Sequence, residues 1–430
     1  MIPKIFHLLW AGKMSYLRWL TLATLRHHHP DWEIKLYVPT AYATTPWKDI
    51  PQQEFLSDMT GVEDYRGVVD ELVDAVISYD EHLDVAPNFQ SDYFRWDKLY
   101  EEGGFYMDMD QIILKPFDDL CHHEFIYAEY DGEYYYVPVG VLGAAPGADV
   151  VKRVREHMDT CFDPDVYNSI GPDMSTAYLA ELRSGGLITE QNAFNSGRMF
   201  YPIGWSSHSK RLYDGSCTVE DIGDAYAVHW FGGHPDSQKF NRPYTPTFAQ
   251  YSKDTLSELL RNMGIVERKD FTDSKYMFGM RLNDTMFSPH RLVTLNTDGT
   301  VTPRHGNENT WRQSAGNGLF LELVSEYDVV TTKFKDCSTD GVLTGKFFYN
   351  DSVTHYISKY KPVGDSVVYV INSCECHRSI AEAAIKQLTK LGIEPKQIVV
   401  CMGGKALPWY DFDKRNTSQP KCVFEKETQY

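Results

Sequence analysis

No run of about 18 apolar residues, the length a membrane-crossing helix needs, occurs in the 430-residue chain. Basic charge is also short: 42 Lys and Arg stand against 60 Asp and Glu, a net charge of −18. No local basic patch offsets that balance, so a nucleic-acid partner would meet an unfavourable field. The opening residues Met1-Ile2-Pro3-Lys4-Ile5 lack the apolar segment of a secretory signal, and a soluble, cytoplasmic protein is the expectation. Regular cysteine spacing is missing too. The eight cysteines, at 121, 161, 217, 337, 374, 376, 401 and 422, are scattered, which argues for reduced thiols over a disulfide frame. Cys374-Glu-Cys376-His377 has no second ligand pair at zinc spacing and reads as a loop with incidental thiols.

What is present is globular in balance. Hydrophobic residues make up 42% and charged residues 24%, enough for a sizeable core and unlike a disordered or fibrous chain. The length exceeds one ordinary core and suits a domain of roughly 200–250 residues with one or two smaller units.

Ile2 to Trp10 reads as a buried strand, Ala11-Gly12 as its turn, and Ser15 as the cap of a helix that stops before Pro30. Glu33 to Val38 is a second strand, so the chain opens as a βαβ unit of an α/β sheet. A helix from about Asn88 to Glu102 carries the stripe Phe89, Tyr93, Trp96 and Tyr100. Asp92 and Arg95 border that stripe, while Asp97, Lys98, Glu101 and Glu102 take the solvated side. Gly103-Gly104 ends the helix, Phe105-Tyr106-Met107 is a short strand, and Asp108-Met109-Asp110 follows it. Further strands are expected at Phe125 to Tyr130, Val137 to Leu142 and Tyr226 to Trp230, and helices at Asp149 to Met158 and Pro172 to Leu182.

Gly232-Gly233 with Pro235, Pro243 and Pro246 reads as the exit from a first domain covering 1–250. Residues 270–362 carry short strands with turn signals and predict a small all-β unit. Residues 363–430 hold one βαβ segment whose helix carries Ile380, Ala384, Leu388 and Leu391 on one face, either docked on its neighbours or truncated.

Three Asp-x-Asp pairs occur, at 108/110, 163/165 and 411/413, and only the first follows a strand. Residues i and i+2 of a strand share a face, which aims two carboxylates at one place about 7 Å apart along the chain. Such a pair repels unless a cation lies between, and a hard oxygen-seeking ion such as Mn2+ or Mg2+ suits it while keeping positions open for phosphate oxygens. On a chain of net charge −18, a bound divalent cation is also the simplest way to make a site attractive to an anionic ligand.

The runs Ile2-Pro3-Lys4-Ile5-x-His7-x-x-Trp10-x-Gly12 and Ser91-Asp92-x-x-Arg95-x-x-x-Leu99-Tyr100-x-x-Gly103-Gly104-x-Tyr106-x-Asp108-x-Asp110, closed by Pro116, resemble the DXD sugar transferases. That family includes fungal initiating α-1,6-mannosyltransferases and has a more distant likeness to clostridial glucosylating toxins. Weaker echoes are Gly171-Pro172 before Ser175-Thr176, and Tyr226-Ala227-x-His229-Trp230; the resemblance spans about residues 1 to 235. It implies a GT-A fold, a nucleoside-diphosphate-sugar donor (UDP- or GDP-sugar), a glycan acceptor, Mn2+ or Mg2+, and transfer with retention by front-face attack. By position, Leu9 and Trp10 would line the nucleotide base, Ser91 and Asp92 would contact nucleoside or donor sugar, and Arg95 would contact sugar or phosphate. Asp108 would reach ribose and metal, and Asp110 the metal itself.

His229 closes its short strand and can complete the metal site with Asp108 and Asp110, or pack beside Trp230; His234, after two glycines, reads as exposed. His7 and Trp96 read as core, and Trp10 equally as core or as ligand wall at a strand end. His27-His28-His29 point three ways from one helix and read as its solvated end. Asn307-Glu308-Asn309-Thr310-Trp311 reads as a structural turn, with sugar binding as the alternative. Two other functions compete. A phosphatase of the haloacid-dehalogenase class wants its first Asp near the N-terminus and Thr or Val two positions past the second, where this chain has Ile112. A non-catalytic glycan-binding protein would not need Asp92, Arg95, Asp108 and Asp110 intact.

Overall fold

A computed structural model describes the chain apart from residues 44–62, 132–134, 206–209, 235–236, 239, 241–243, 273–274, 282–286, 314–320, 338–341, 360–368, 374–385, 387–388, 391–397, 403–404 and 409–430. A first unit runs Met1–Arg268. Strand β1 (Ile5–Leu9) is almost wholly buried, as a central parallel strand must be. Helix α1 (Tyr16–His28) returns the chain to β2 (Glu33–Pro39), which pairs parallel with β1 from Ile5↔Glu33 to Leu9↔Tyr37. Ser15 takes the N-cap position, but its side chain makes no capping bond. The helix also buries more than one face: Arg18, Thr21 and Thr24 lose water along with the leucines. The cause is the strand-end turn against which it lies. Thr21 Oγ1 donates to the Met109 carbonyl (3.0 Å), and Thr24 Oγ1 accepts the Ile113 N–H (3.1 Å).

The histidine run at the end of α1 is not uniformly solvated. His27 is exposed, but His29 is buried; its Nδ1 donates to the Leu25 carbonyl (3.0 Å) and its Nε2 accepts the Phe117 N–H (2.9 Å). The chain turns at His29, so that ring leaves the helix surface and drops between Phe6, Trp32 and Phe117.

The chain continues through β3 (Ala75–Tyr79), helix α2 (Pro87–Glu101), β4 (Gly104–Met107), β5 (Gln111–Ile113), β6 (Phe125–Tyr127), β7 (Val141–Ala144), helices α3 (Asp149–Cys161) and α4 (Pro172–Ser184), β8 (Ala193–Asn195) and β9 (Ala227–His229). Seven strands lie in the order β8-β6-β7-β4-β1-β2-β3, and β9 pairs antiparallel with β5. β4 is parallel to β1, whereas β7 runs antiparallel to both β4 and β6. The strand expected over Val137 to Leu142 therefore starts later, at Val141. Pro138 lacks an N–H for the ladder, and Tyr135-Tyr136 pairs with Tyr130-Asp131 as a separate short hairpin, which also shortens the strand expected to reach Tyr130.

The buried side of α2 differs from the aromatic stripe. Phe89, Gln90, Asp92, Phe94, Arg95, Trp96 and Leu99 are buried, while Tyr93 and Tyr100 are half-buried. The helix packs on the sheet and also on α3, so two of its faces lose water. Asp97, on the side expected to be solvated, accepts from Arg155 Nε of α3 at 2.5 Å. Positive φ values at Gly103 (69°) and Gly104 (93°) then turn the chain sharply from α2 into β4.

Gly232-Gly233 does not take the chain out of this unit. Helices α5 (Pro246–Tyr251) and α6 (Thr255–Asn262) follow, and α6 buries Leu256, Leu259 and Leu260 on one face. Asp254 caps α6 by accepting the Ser257 N–H at 2.8 Å.

A second unit begins at Lys269. Eight antiparallel strands from Lys275–Arg281 to Asn350–Lys359 close into a barrel, the first pairing with the last from Tyr276↔Lys359 to Arg281↔Thr354. Closure leaves no unpaired edge. Asn307 to Trp311 belongs to it mainly as the strand Glu308–Arg312, and the half-buried Trp311 donates from Nε1 to the Asn296 carbonyl (2.9 Å). Beyond the barrel, Tyr369–Ser373 and Ile398–Met402 pair in parallel, and Lys405–Pro408 adds an antiparallel third strand. The intervening apolar positions Ile380, Ala384, Leu388 and Leu391, the Cys374-Glu-Cys376-His377 run and Asp411/Asp413 lie outside the described residues. Among the described residues no helix is long and apolar enough to cross a membrane.

Candidate active site

Asp108 stands one residue past β4, at the carboxyl end of a strand flanked by parallel β1, where open α/β sheets leave a crevice for ligands. Its N–H donates to the Gly140 carbonyl (2.8 Å), so the lead-in to β7 sets its direction. Glycine at 140 lets Asp108 and Tyr201 keep these positions: a Cβ there would lie 2.5 Å from Asp108 Oδ2 and 2.9 Å from the Tyr201 hydroxyl. Tyr106 Oη makes a short hydrogen bond to Asp108 Oδ1 and lies 2.7 Å from Ser91 Oγ. Burial pushes the Tyr106 phenol well above its ordinary range, so it stays a donor to the carboxylate.

From α2, Arg95 ties this layer together. Nε donates to the Ser91 carbonyl (3.0 Å), Nη1 to the Val139 carbonyl (2.7 Å), and Nη2 to Ser91 Oγ (3.0 Å), with Asp92 Oδ1 at 2.9 Å. Asp108 Oδ1 lies 3.9 Å from Nη2, and the guanidinium covers the Tyr106 ring at 4.6 Å. Most of its five N–H groups are thus committed. Burial opposes the Arg95 charge, but Tyr106, Asp92 and Asp108 together hold its pKa above the usual guanidinium range.

Asp92 is 4% exposed, and burial pushes it up to about 7, with Arg95 acting against that shift and Asp108 adding to it. Its folded pKa is raised, so between about pH 4 and pH 7 the folded state keeps a proton that the unfolded chain has released. That stabilisation is present in full below the unfolded pKa and lost as pH rises through about 7. Relative to an Asp92→Asn variant, the protein is expected to lose stability from pH 4 to pH 7 and to level off above. Chemical denaturation of both proteins across that range checks this, and a constant difference would contradict it.

Asp110 is gripped by the turn after β9. The Trp230 N–H donates to its carbonyl (3.0 Å), the Gly232 N–H to Oδ2 (2.7 Å), and His229 Nε2 lies 3.0 Å from Oδ1. Phe231 adopts φ 51°, unusual for a residue with a side chain, and this bends the turn back onto Asp110. Burial works to raise the Asp110 pKa, but the His229 ring, Arg18 and the Gly232 N–H outweigh it and hold the acid at about 2. His229 Nδ1 accepts the Phe231 N–H (3.0 Å), so the neutral ring carries its proton on Nε2 and donates to Asp110.

Asp108, Asp110 and His229 each offer one ligand atom, all within 4.8 Å of one another, a mixed oxygen and nitrogen set suited to Mn2+. A second group, Glu81, His82 and Asp97, meets the same distance, but Arg155 at 2.5 Å from Asp97 and Lys98 at 3.9 Å from Glu81 already neutralise it.

Other expected residues divide. Leu9 is packed into the core with Tyr37 and Phe94, whereas Trp10 is half-buried, its Nε1 bonded to the Lys13 carbonyl (3.0 Å). His7 and Trp96 are fully buried, and His7 Nε2 donates to the Gly103 carbonyl (2.9 Å). His234 is half-buried beside Trp205. Asp163 accepts the Asp165 N–H in an exposed turn after α3. Arg18 and Tyr201 were not legible as site residues. Arg18 lies over the Trp10 ring at 4.0 Å, and the buried Tyr201 packs on His229 with ring centroids 5.3 Å apart. A lone arginine in the apolar run Tyr16 to Leu25 was the available signal for the first; nothing local marked the second.

Residues 20–126 match the family described as the glycosyltransferase sugar-binding region containing the DXD motif, a span that includes Ser91, Asp92, Arg95, Asp108 and Asp110. The chain therefore carries a DXD-type glycosyltransferase region and is an enzyme of the sugar-transferring class. No curated protein matches it. Among solved structures it is similar to the PaToxG glycosyltransferase, at 18% identity over 43% of this chain and 71% of that one, with a TM-score of 0.30. It is also similar to the apo form of the glycosyltransferase GlyE of Streptococcus pneumoniae TIGR4, at 15% identity over 61% of this chain and 60% of that one, TM-score 0.33. An active-site variant of LgtC matches at 15% identity over 60% of this chain and 95% of that one, TM-score 0.26.

Proposed function

We propose that the first unit is a GT-A-type, metal-dependent glycosyltransferase that moves a sugar from a nucleoside-diphosphate-sugar (UDP- or GDP-sugar) to a hydroxyl of a glycan, with retention of anomeric configuration. The observation that carries this reading is the convergence of Asp108, Asp110 and His229 at the end of β4, beside the Asp92–Arg95 pair. Mn2+ or Mg2+ held there would supply positive charge that stabilises the leaving diphosphate without proton transfer. Asp108, Asp110 and His229 would hold the ion, and a neutral His229 ring serving as a ligand through Nε2 would carry its proton on Nδ1.

The chain's own residues then have distinct tasks. Asp92 and Ser91 border the place for the donor sugar, and Arg95 holds both in register with Asp108 while leaving an N–H for sugar or phosphate. Trp10 walls the nucleotide at the end of β1. In front-face attack the acceptor oxygen bonds to the anomeric carbon as the bond to phosphate breaks, and the leaving phosphate takes the acceptor proton. A panel of nucleotide-sugars assayed for hydrolysis with Mn2+ present tests the reading, and turnover of simple phosphate esters alone would overturn it.

We infer that catalysis lies within the first unit and that the barrel serves acceptor binding. A chain ending at Arg268 is expected to retain donor hydrolysis within about threefold and lose most transfer to the native acceptor. A folded truncated protein that fails to bind nucleoside diphosphate would refute this division.

A further inference from the structure

Arg18 is buried beside the candidate site without a counter-charge in contact. Its residue is 7% exposed, and among the described residues its guanidinium makes no hydrogen bond or ion pair. Its neighbours are two indole faces, Trp10 at 4.0 Å and Trp230 at 5.2 Å. Burial depresses its pKa, with the more distant Asp110 and Asp108 acting the other way. The Arg18 nitrogens are not among the fully buried polar atoms, so an anion arriving at the site can reach N–H groups that no described acceptor takes.

Three separate elements hold this group in place. Arg18 comes from α1, Trp10 follows β1, and Trp230 follows β9. The two indole contacts are cation–π contacts, and among the described residues no acceptor takes the guanidinium's N–H groups. Room for it is made at position 232, where a Cβ would lie 2.6 Å from Arg18 Nη2; the N–H of that same Gly232 donates to Asp110. The planar donor fork is therefore built into the turn that grips Asp110, and a fork of this geometry matches two oxygens of one phosphate.

We propose that Arg18 anchors the distal phosphate of the nucleoside diphosphate, the phosphate that departs from the sugar. The assignment rests on the nucleoside-diphosphate reading above and adds a residue to it that lies outside the matched 20–126 region. The distal phosphate gains charge when its bond to the sugar breaks, and a fixed guanidinium needs no reorganisation to receive it.

The test is calorimetric binding of UDP, UMP, GDP and GMP with Mn2+ present, to the full chain and to Arg18→Met and Arg18→Lys variants whose folding is checked by circular dichroism. Arg18→Met is expected to weaken the bound nucleoside diphosphate by about 10- to 100-fold, the scale of a charge-assisted hydrogen bond, and the matching monophosphate by less than about threefold. Arg18→Lys keeps the charge and loses the fork, and decides the matter if Arg18→Met does not fold: the expected diphosphate-selective loss is about 3- to 10-fold. Unchanged diphosphate binding, or equal losses for mono- and diphosphate, overturns the role of Arg18 while the nucleotide reading stands. If the unmodified protein binds neither UDP nor GDP with Mn2+, the nucleotide reading itself fails and this assignment with it.

Discussion

Asp110→Asn is expected to cut metal-dependent donor turnover by about 1,000-fold or to background, the scale seen when one preorganised charge stabiliser is removed from an active site. The amide keeps the shape and can still accept the Gly232 N–H, but it removes the charge that the His229 ring and Arg18 hold at a pKa of about 2. The fold should survive, because the grip of Trp230 on residue 110 is through its backbone carbonyl. Donor hydrolysis with and without chelator, beside a thermal melt, measures both. Two histidine variants sharpen the result: His229→Ala should weaken Mn2+ binding about 10- to 100-fold in the presence of nucleoside diphosphate, and His234→Ala should leave it unchanged. Full activity in chelator, or an active and folded Asp110→Asn protein, would rule the metal assignment out.

Arg95→Lys is the second large effect expected, although the substitution keeps the charge. The guanidinium reaches Ser91, Val139 and Asp92 from one plane, and an ammonium on a flexible stem cannot serve all three. At least two buried hydrogen bonds go, for a stability loss of roughly 2–4 kcal/mol. Turnover should fall by about 100-fold because Asp92 and Asp108 lose their common brace. Donor kinetics and chemical denaturation separate the two losses. A surface ion pair would register neither change, so unchanged kinetics and stability would reduce Arg95 and Asp92 to that status.

Much of the fold was legible because its signals are local. Alternation of strand, helix and strand near the N-terminus, the Gly103-Gly104 stop and the short turn-punctuated strands after residue 275 depend on neighbours in sequence, and each reappears in the structure. Misreadings arose where a distant element supplied the environment. α3 shields the polar side of α2, and Phe6, Trp32 and Phe117 enclose His29.

The candidate site divides in the same way. The sequence by itself determined which carboxylates could act together, since Asp108 and Asp110 follow a strand at the spacing that shares one face, while Asp163-x-Asp165 follows a helix. It also placed Asp92 and Arg95 one helical turn apart. Tertiary structure alone decided what surrounds them. Asp110 and His229 are separated by more than a hundred residues yet meet at 3.0 Å, because β9 pairs antiparallel with β5 and brings His229 opposite Gln111. The cradle of Gly140 and Tyr201 around Asp108, and the indole faces that enclose Arg18, likewise come from strands and helices brought together only when the sheet assembles. Periodicity reports which face of an element a side chain occupies; which other element covers that face is a property of the packed chain.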